Sequence, residues 1–361
     1  MKYIGLDVGN GSTCIYARYE DRTTDEVSIA STFGYYDGEP TAAIANKAKA
    51  LSAEIYTLGG RQYVLGYADV AEVGTESIGT YSREDRIHLN AYQKLVKLAL
   101  LKAATMNGDT GVIEIGLGFG VPNEDYRDEQ LKEIAKWFAE PITGAKNGQQ
   151  LIVTVKQLEF VSQPIAVLLD AYYDKNGIVR NADIENEDTL VIDSGSGTLD
   201  MTELRGFRIL KQTSKAAGMN DVYKLVTEYI ERREPKARVN PYDLEQQIRD
   251  QSTSKEMFYR YGRISVSIKD AYLKSVETVW DLMVNSIERE YPNRTRFHRV
   301  LLAGGTGEAF YSSFVNWMPQ IEKSPDPQMA IARGLCKYVI SLALANEVIE
   351  VPRVAEGEGT C

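Results

Sequence analysis

The sequence predicts an α/β chain built as two related lobes that face each other across a cleft. Two observations carry that prediction. The motif Asp-x-Gly-x-Gly-Ser/Thr occurs twice, once from Asp7 to Ser12 and once from Asp193 to Thr198. Around both copies, short β-branched runs alternate with stretches of helical periodicity, the pattern of mixed sheets flanked by helices. A motif repeated in separate halves of a chain points to a duplicated unit.

Each copy reads as strand, tight turn, strand. Residues 3–6 lead into the first turn and 13–19 leave it; residues 189–192 and 199–204 do the same for the second. Both are therefore expected to be β-hairpins, and Asn10-Gly11 suits a turn with positive φ at both central residues. Residues 34–79, rich in Gly, Ala and Tyr and less regular, read as a small insertion subdomain. Leu89, Tyr92, Leu95, Val96, Ala99, Leu100 and Ala103 recur at helical spacing. Strands are expected at 111–121 and 151–155, and helices at 124–139, behind the Pro122-Asn123 start signal, and after Gln163-Pro164. In the second half, 222–232 and 266–290 have helical periodicity, 299–303 is a short buried strand, and 329–344 is a final helix. The resulting division places one lobe over 1–163, completed by a C-terminal helix at 335–361. The other lobe covers 164–334, with a smaller subdomain at 216–275.

Composition narrows the function classes. The 361 residues are 43% hydrophobic and 25% charged, ordinary for a protein with a real core. A formal net charge of −10 argues against a broad surface that neutralises DNA phosphates. The local basic stretch at Arg232, Arg233, Lys236 and Arg238 reads as a solvated helix end and loop. Cys14, Cys336 and Cys361 are far apart and odd in number, so no disulfide framework is expected. With only His88 and His298 besides, a Cys/His zinc site is not expected either. No signal peptide precedes the first strand, no apolar run approaches the roughly 18 residues of a membrane span, and residues 355–361 are polar and acidic. The expectation is a cytoplasmic protein with no membrane partner.

The glycine turns have a specific chemical use. Phosphates need donors without bulk, and such turns let backbone N–H groups converge on an anion while Ser and Thr hydroxyls add to them. Gly9, Asn10, Gly11, Ser12 and Thr13 are thus candidates for one end of a triphosphate, and Gly195, Ser196, Gly197 and Thr198 for the other. Neither segment has the spacing or Lys of a P-loop. Asp7 and Asp193 end their strands just before the turns. A carboxylate beside phosphates repels them unless a cation intervenes, so both are candidate Mg²⁺ ligands acting through water. A third glycine loop, Gly304-Gly305-Thr306, follows the strand at 299–303 and offers close main-chain approach to the nucleoside end.

At this point the sequence resembles the actin superfamily. Five segments in order carry the resemblance and frame nearly the whole chain: 7–13, 160–166, 190–200, 301–307 and 327–334. The compact length, the Asp-x-Gly-Asn-Gly opening and the Thr-Leu-Asp end of the second motif are most similar to the plasmid-segregation ParM/StbA group. The resemblance implies an actin-like (ribonuclease H-like) duplicated fold, each lobe a mixed sheet flanked by helices, with the nucleotide cleft between them. It implies that Gln163 orients the attacking water, the role an amide fills in other phosphoryl-transfer sites. It places Asp200 in the water network or as a hairpin cap, and Gly218 in a loop near the phosphates and ribose. Lys215 and Lys224 are either nucleotide contacts or surface lysines. The implied activity is hydrolysis of Mg-ATP or Mg-GTP coupled to self-assembly into filaments, with plasmid DNA held through a DNA-binding adaptor at a centromere-like site. Two alternatives stay open: a small-molecule kinase of the same superfamily and a weakly hydrolysing scaffold.

Overall fold

The structure is a computed structural model and describes residues 1–38, 52–80, 86–322 and 324–349. Residues 350–361 of the expected C-terminal helix, and 39–51 of the expected insertion, lie outside the described residues.

In the first half, the strands are β1 (Lys2–Val8), β2 (Ser12–Arg18), β3 (Thr24–Ala30), β4 (Thr32–Tyr35), β5 (Ile55–Leu58), β6 (Arg61–Leu65), β7 (Ile78–Gly79), β8 (Gly111–Val121), β9 (Ile142–Lys146) and β10 (Gln149–Ser162). They form one mixed sheet in the order β3-β2-β1-β8-β10-β9-β5-β6-β4-β7. Helices α1 (Tyr67–Val73), α2 (Asn90–Ala104) and α3 (Asp128–Lys136) belong to this half, and α4 (Gln163–Tyr172) leaves it. The second half contains β11 (Asp188–Ser194), β12 (Leu199–Arg205) and β13 (Arg208–Lys215), then α5 (Met219–Arg233) and α6 (Pro241–Asp250). The hairpin β14 (Phe258–Tyr261) and β15 (Ile264–Ser267) follows, then α7 (Lys269–Glu290), β16 (Arg299–Ala303), α8 (Gly307–Trp317), β17 (Ile321–Glu322) and α9 (Ala330–Ile349). The second sheet runs β13-β12-β11-β16-β17.

The two sheets share a plan. In each, three antiparallel strands are followed by parallel neighbours: β3-β2-β1 then β8 and β10, and β13-β12-β11 then β16 and β17. Registers correspond as well. Asp7 lies opposite Cys14 and Val8 opposite Thr13, as Asp193 lies opposite Asp200 and Ser194 opposite Leu199. The repeated motif in the sequence is therefore a repeated hairpin in space.

The central strand β1 is buried on both faces, as expected of a strand with parallel neighbours and helices above and below. One face packs on α2, whose Leu95, Val96, Leu98, Ala99, Leu100 and Leu101 are all fully buried; the other packs on α9. The second core lies between its sheet and α5, α7 and α8. There α7 is amphipathic, burying Ser275, Val279, Met283 and Ile287 at four-residue intervals. A third cluster joins α4, α9, β11 and β16 between the sheets.

Several elements differ from the sequence expectation. The helix expected over 124–139 is a turn at Asn123–Asp125 followed by α3, which starts at Asp128 after the extended Arg127. The helix expected from 266 starts at Lys269, because Val266 pairs with Tyr259 in the β14–β15 hairpin. In the segment expected as an insertion, β4 to β7 continue the first sheet through the β5–β9 pairing. One helical stretch, Pro327–Asn346, is long and apolar enough to cross a membrane by length and composition, contrary to the reading that no such run exists. Arg333 and Lys337 interrupt the run to the eye without lowering its average enough. Most of that stretch is buried inside the fold, and both charges reach Asp170 on α4.

Candidate functional site

A cleft of about 880 Å³ opens where the two sheets converge. That volume lies within the roughly 300–1,000 Å³ usual for small-molecule sites. The carboxyl ends of the parallel strands point into it: Asp7 from β1, Pro122 and Asn123 after β8, Gln163 after β10, Asp193 from β11, and Gly304 after β16. Open α/β sheets place ligands at this edge because helices begin and loops turn there.

The two hairpin turns are built alike. Gly9 N–H donates to the Ser12 carbonyl at 2.9 Å, and Gly195 N–H to the Thr198 carbonyl at 2.8 Å. Neither turn has a residue with positive φ, so the expectation for Asn10-Gly11 fails. With four residues between the paired strand ends, the chain reverses without the two-residue mirror-image turn. The hairpins also meet across the cleft: a methyl group on Gly11 would lie 2.5 Å from Ser196 Oγ. Behind the first turn, the Ser31 hydroxyl donates to the Gly9 carbonyl at 2.7 Å, and Gln328 Nε2 donates to Ser12 Oγ at 3.2 Å.

Three carboxylates share the floor. Asp7 Oδ1 accepts from Gln163 Nε2 at 2.8 Å, which leaves the Gln163 carbonyl oxygen able to accept from a water. Burial pushes the Asp7 carboxyl up, while Gln163 and the Arg86 guanidinium act against it. Asp193 is pushed up to about 8, by burial first and then by the negative charges of Asp200 and Asp7. Burial also raises Asp200, whose Oδ2 accepts from Thr198 Oγ1 at 2.7 Å. Carboxylates crowded at one edge repel one another, and a proton or a cation relieves that repulsion. Among the described residues no group of three His, Cys, Asp or Glu is arranged to hold a metal alone. That donor set suits Mg²⁺, which keeps several waters and takes one or two carboxylates plus substrate oxygens.

The third loop is fixed by its backbone. Gly304 has φ 92°, a left-handed conformation that favours glycine, and a methyl group there would lie 2.2 Å from the Ser194 carbonyl. Thr306 donates to the carbonyl and hydroxyl of Ser194. Gly304, Gly305 and Thr306 all line the cleft beside Asp193.

The structure thus brings together Asp7, Gly9, Asn10, Gly11, Ser12, Gln163, Asp193, Gly195, Ser196, Gly197, Thr198, Asp200, Gly304, Gly305 and Thr306. Thr13 and Gly218 stand apart from that lining. The Thr13 hydroxyl is fully buried against Ser31 Oγ at 2.9 Å. Gly218 packs behind the second hairpin, where a methyl group would lie 2.5 Å from the Ser196 carbonyl. Lys215 pairs with Glu290. Sequence reasoning missed Arg86, Gln328, and the Tyr223, Glu245 and Arg249 group at the far end. Of these, Gln328 carried a signal, since it lies in the fifth resembling segment.

Paired sheets that turn glycine hairpins toward one another define a two-lobed cleft protein of the actin type. The fold is accordingly actin-like, of the ParM kind. Residues 5–165 match the family described as actin like proteins N terminal domain. Among solved structures, psk41 ParM in its apo form is similar at 19% identity, covering 97% of this chain and 99% of that one with a TM-score of 0.72. An archaeal actin homologue, Ta0583, is similar at 17% identity, covering 96% and 100% with a TM-score of 0.66. Bacillus thuringiensis ParM solved with ATP is similar at 16% identity, covering 96% and 99% with a TM-score of 0.68. Comparison with curated proteins found no match.

Proposed function

We propose that this chain is a nucleoside triphosphatase that assembles into filaments when Mg-ATP or Mg-GTP fills the cleft. The observation that carries the reading is the meeting of two matched glycine hairpins, from two sheets, above a floor of three carboxylates. Bacillus thuringiensis ParM has been solved with ATP, AMPPNP and ADP, which supports nucleotide as the ligand here. Asn10 to Ser12 and Ser196 to Thr198 would donate to the phosphates, on turns closed by the Gly9 and Gly195 N–H groups, and Asp7 and Asp193 would hold Mg²⁺ through water. The metal, when bound, would neutralise charge on the phosphate oxygens. Gln163, held by Asp7, would present its carbonyl oxygen to the attacking water and align it.

A phosphate chain gripped from both sides ties the two sheets together, and its loss on hydrolysis weakens that tie. Such a change favours assembly in one state and disassembly in the other. The work proposed for the filament is plasmid DNA segregation in the cytoplasm, through a DNA-binding adaptor rather than direct DNA contact. Light scattering of the purified chain is expected to rise on adding Mg-ATP or Mg-GTP and to decay as the nucleotide is spent. Scattering that stays at the monomer level at high protein concentration with both nucleotides overturns the filament.

Gln163→Ala separates hydrolysis from binding. The rate of phosphate release is expected to fall about 10–100-fold, the usual weight of one positioning group, with nucleotide affinity within about threefold by the same reasoning. Unchanged phosphate release removes Gln163 from the mechanism.

A further inference from the structure

Arg86 lies far in sequence from every glycine motif and is only 8% exposed, yet it lines the cleft. Its described hydrogen-bond partners are all neutral. Nη1 donates to Asn10 Oδ1 at 3.0 Å, and Nη2 donates to the Val8 carbonyl at 2.7 Å and to the Tyr92 hydroxyl at 3.0 Å. The guanidinium also sits 4.3 Å from the centroid of the Tyr92 ring, and Tyr92 is buried on α2.

Each contact has a separate consequence. The Val8 and Asn10 bonds fasten both the last residue of β1 and the tip of the first turn to one rigid fork, so the turn cannot swing independently of its strand. The Tyr92 contact anchors that fork in the first core. Among the described residues no carboxylate forms an ion pair with this buried guanidinium, and a buried charge is costly unless an anion shares the site. Asp7 is near enough to feel the charge, but Asp7 is occupied by Gln163 and faces two other carboxylates. The floor of the cleft is acidic, and Arg86 lines the wall beside the first hairpin.

We infer that Arg86 positions the first hairpin through Asn10 and supplies the counter-charge that draws the phosphate chain onto it. The inference rests on the nucleotide reading and deepens it: Arg86 acts on the phosphates of the ligand and leaves the nucleoside end alone. Arginine suits the task because its planar fork holds several acceptors in fixed directions while the charge stays delocalised.

The test is displacement of a fluorescent nucleotide from the full chain by Mg-ATP, Mg-GTP and the free nucleosides, in wild type, Arg86→Gln and Arg86→Lys. For whichever triphosphate binds, Arg86→Gln is expected to weaken it about 10-fold or more, the weight of one charge-assisted contact. The matching nucleoside should change by less than about twofold on the same scale. Arg86→Lys is expected to recover only part of the lost affinity, because the charge returns without the fork. Equal loss for triphosphate and nucleoside, or no loss for either, overturns the inference and leaves the nucleotide reading standing. Wild type that binds neither triphosphate overturns both. Should Arg86→Gln fail to fold, Arg86→Lys carries the test, because it keeps the charge and loses the fork that holds Val8 and Asn10. A loss confined to the triphosphate supports the inference, and an unselective loss or none overturns it.

Discussion

Asp193→Asn is expected to lower the rate of phosphate release about 100-fold or more, the loss usual when a charge-bearing group at a phosphoryl-transfer centre is removed. Asp193, one residue before the end of β11, lies directly opposite Asp200 on the same face of its hairpin, so the two carboxylates are cross-strand neighbours. Like charges directly opposite are destabilising, and either a proton or a cation relieves them. The same substitution should therefore stabilise the metal-free protein while disabling it. The sign follows from proton linkage. In the native state the Asp193 carboxyl keeps its proton up to about 8, against an ordinary value of 3.8. Between those values the native state binds more protons than the unfolded chain, so stability is fully present below 3.8 and is lost as the pH rises toward about 8. In EDTA, the thermal midpoint of wild type should fall across that window and the Asp193→Asn midpoint should fall less. Identical pH profiles for the two proteins would remove the repulsion from the account.

The sequence made the site legible wherever function sits in local motifs. Asp7 to Ser12 and Asp193 to Thr198 each fold within a dozen residues, so their chemistry and geometry travel together along the chain. Gly304 was legible for the same reason, as a glycine after a short buried strand. Thr13 shows what a motif alone misses. Side chains alternate across a strand, and Thr13 pairs with Val8, not with Asp7. It therefore faces away from the carboxylate, into the bond with Ser31. Arg86 had no local signal at all, because Asn10 and Val8 reach it across more than 70 residues. The fold follows the same division. Paired hairpins and the strand at Gly111–Val121 were readable from pattern, whereas the continuation of the first sheet through β5 and β9 depends on a pairing between distant segments.

The largest expected effect on stability comes from adding a single methyl group at Gly334. Helices α4 and α9 cross so closely that a Cβ on Gly334 would lie 1.8 Å from the Ala166 carbonyl oxygen and 2.9 Å from the Asp170 amide nitrogen. Both are backbone atoms, so no rotamer change relieves the clash. Nor can the helices easily part. Lys337 Nζ is 2.6 Å from Asp170 Oδ1, and Arg333 Nη2 is 3.1 Å from Asp170 Oδ2, with all three side chains about nine-tenths buried. Separating the helices would stretch a buried ion-paired cluster, whose rupture typically costs about 3–5 kcal/mol. Gly334→Ala is thus expected to cost about 3 kcal/mol or more in urea unfolding, the upper end for overpacking. Ala345→Gly, on an exposed turn of the same helix, should cost only about 1 kcal/mol. A Gly334→Ala protein within about 1 kcal/mol of wild type would show that the crossing relaxes freely, against the usual stiffness of close-packed interiors. The consequence also reaches the cleft, since α4 begins at Gln163, which holds Asp7, and Gln328, which holds Ser12, lies just ahead of α9. Whatever part of Gly334→Ala stays folded should therefore release phosphate more slowly than wild type, because the spacing of this crossing sets where both glutamines stand.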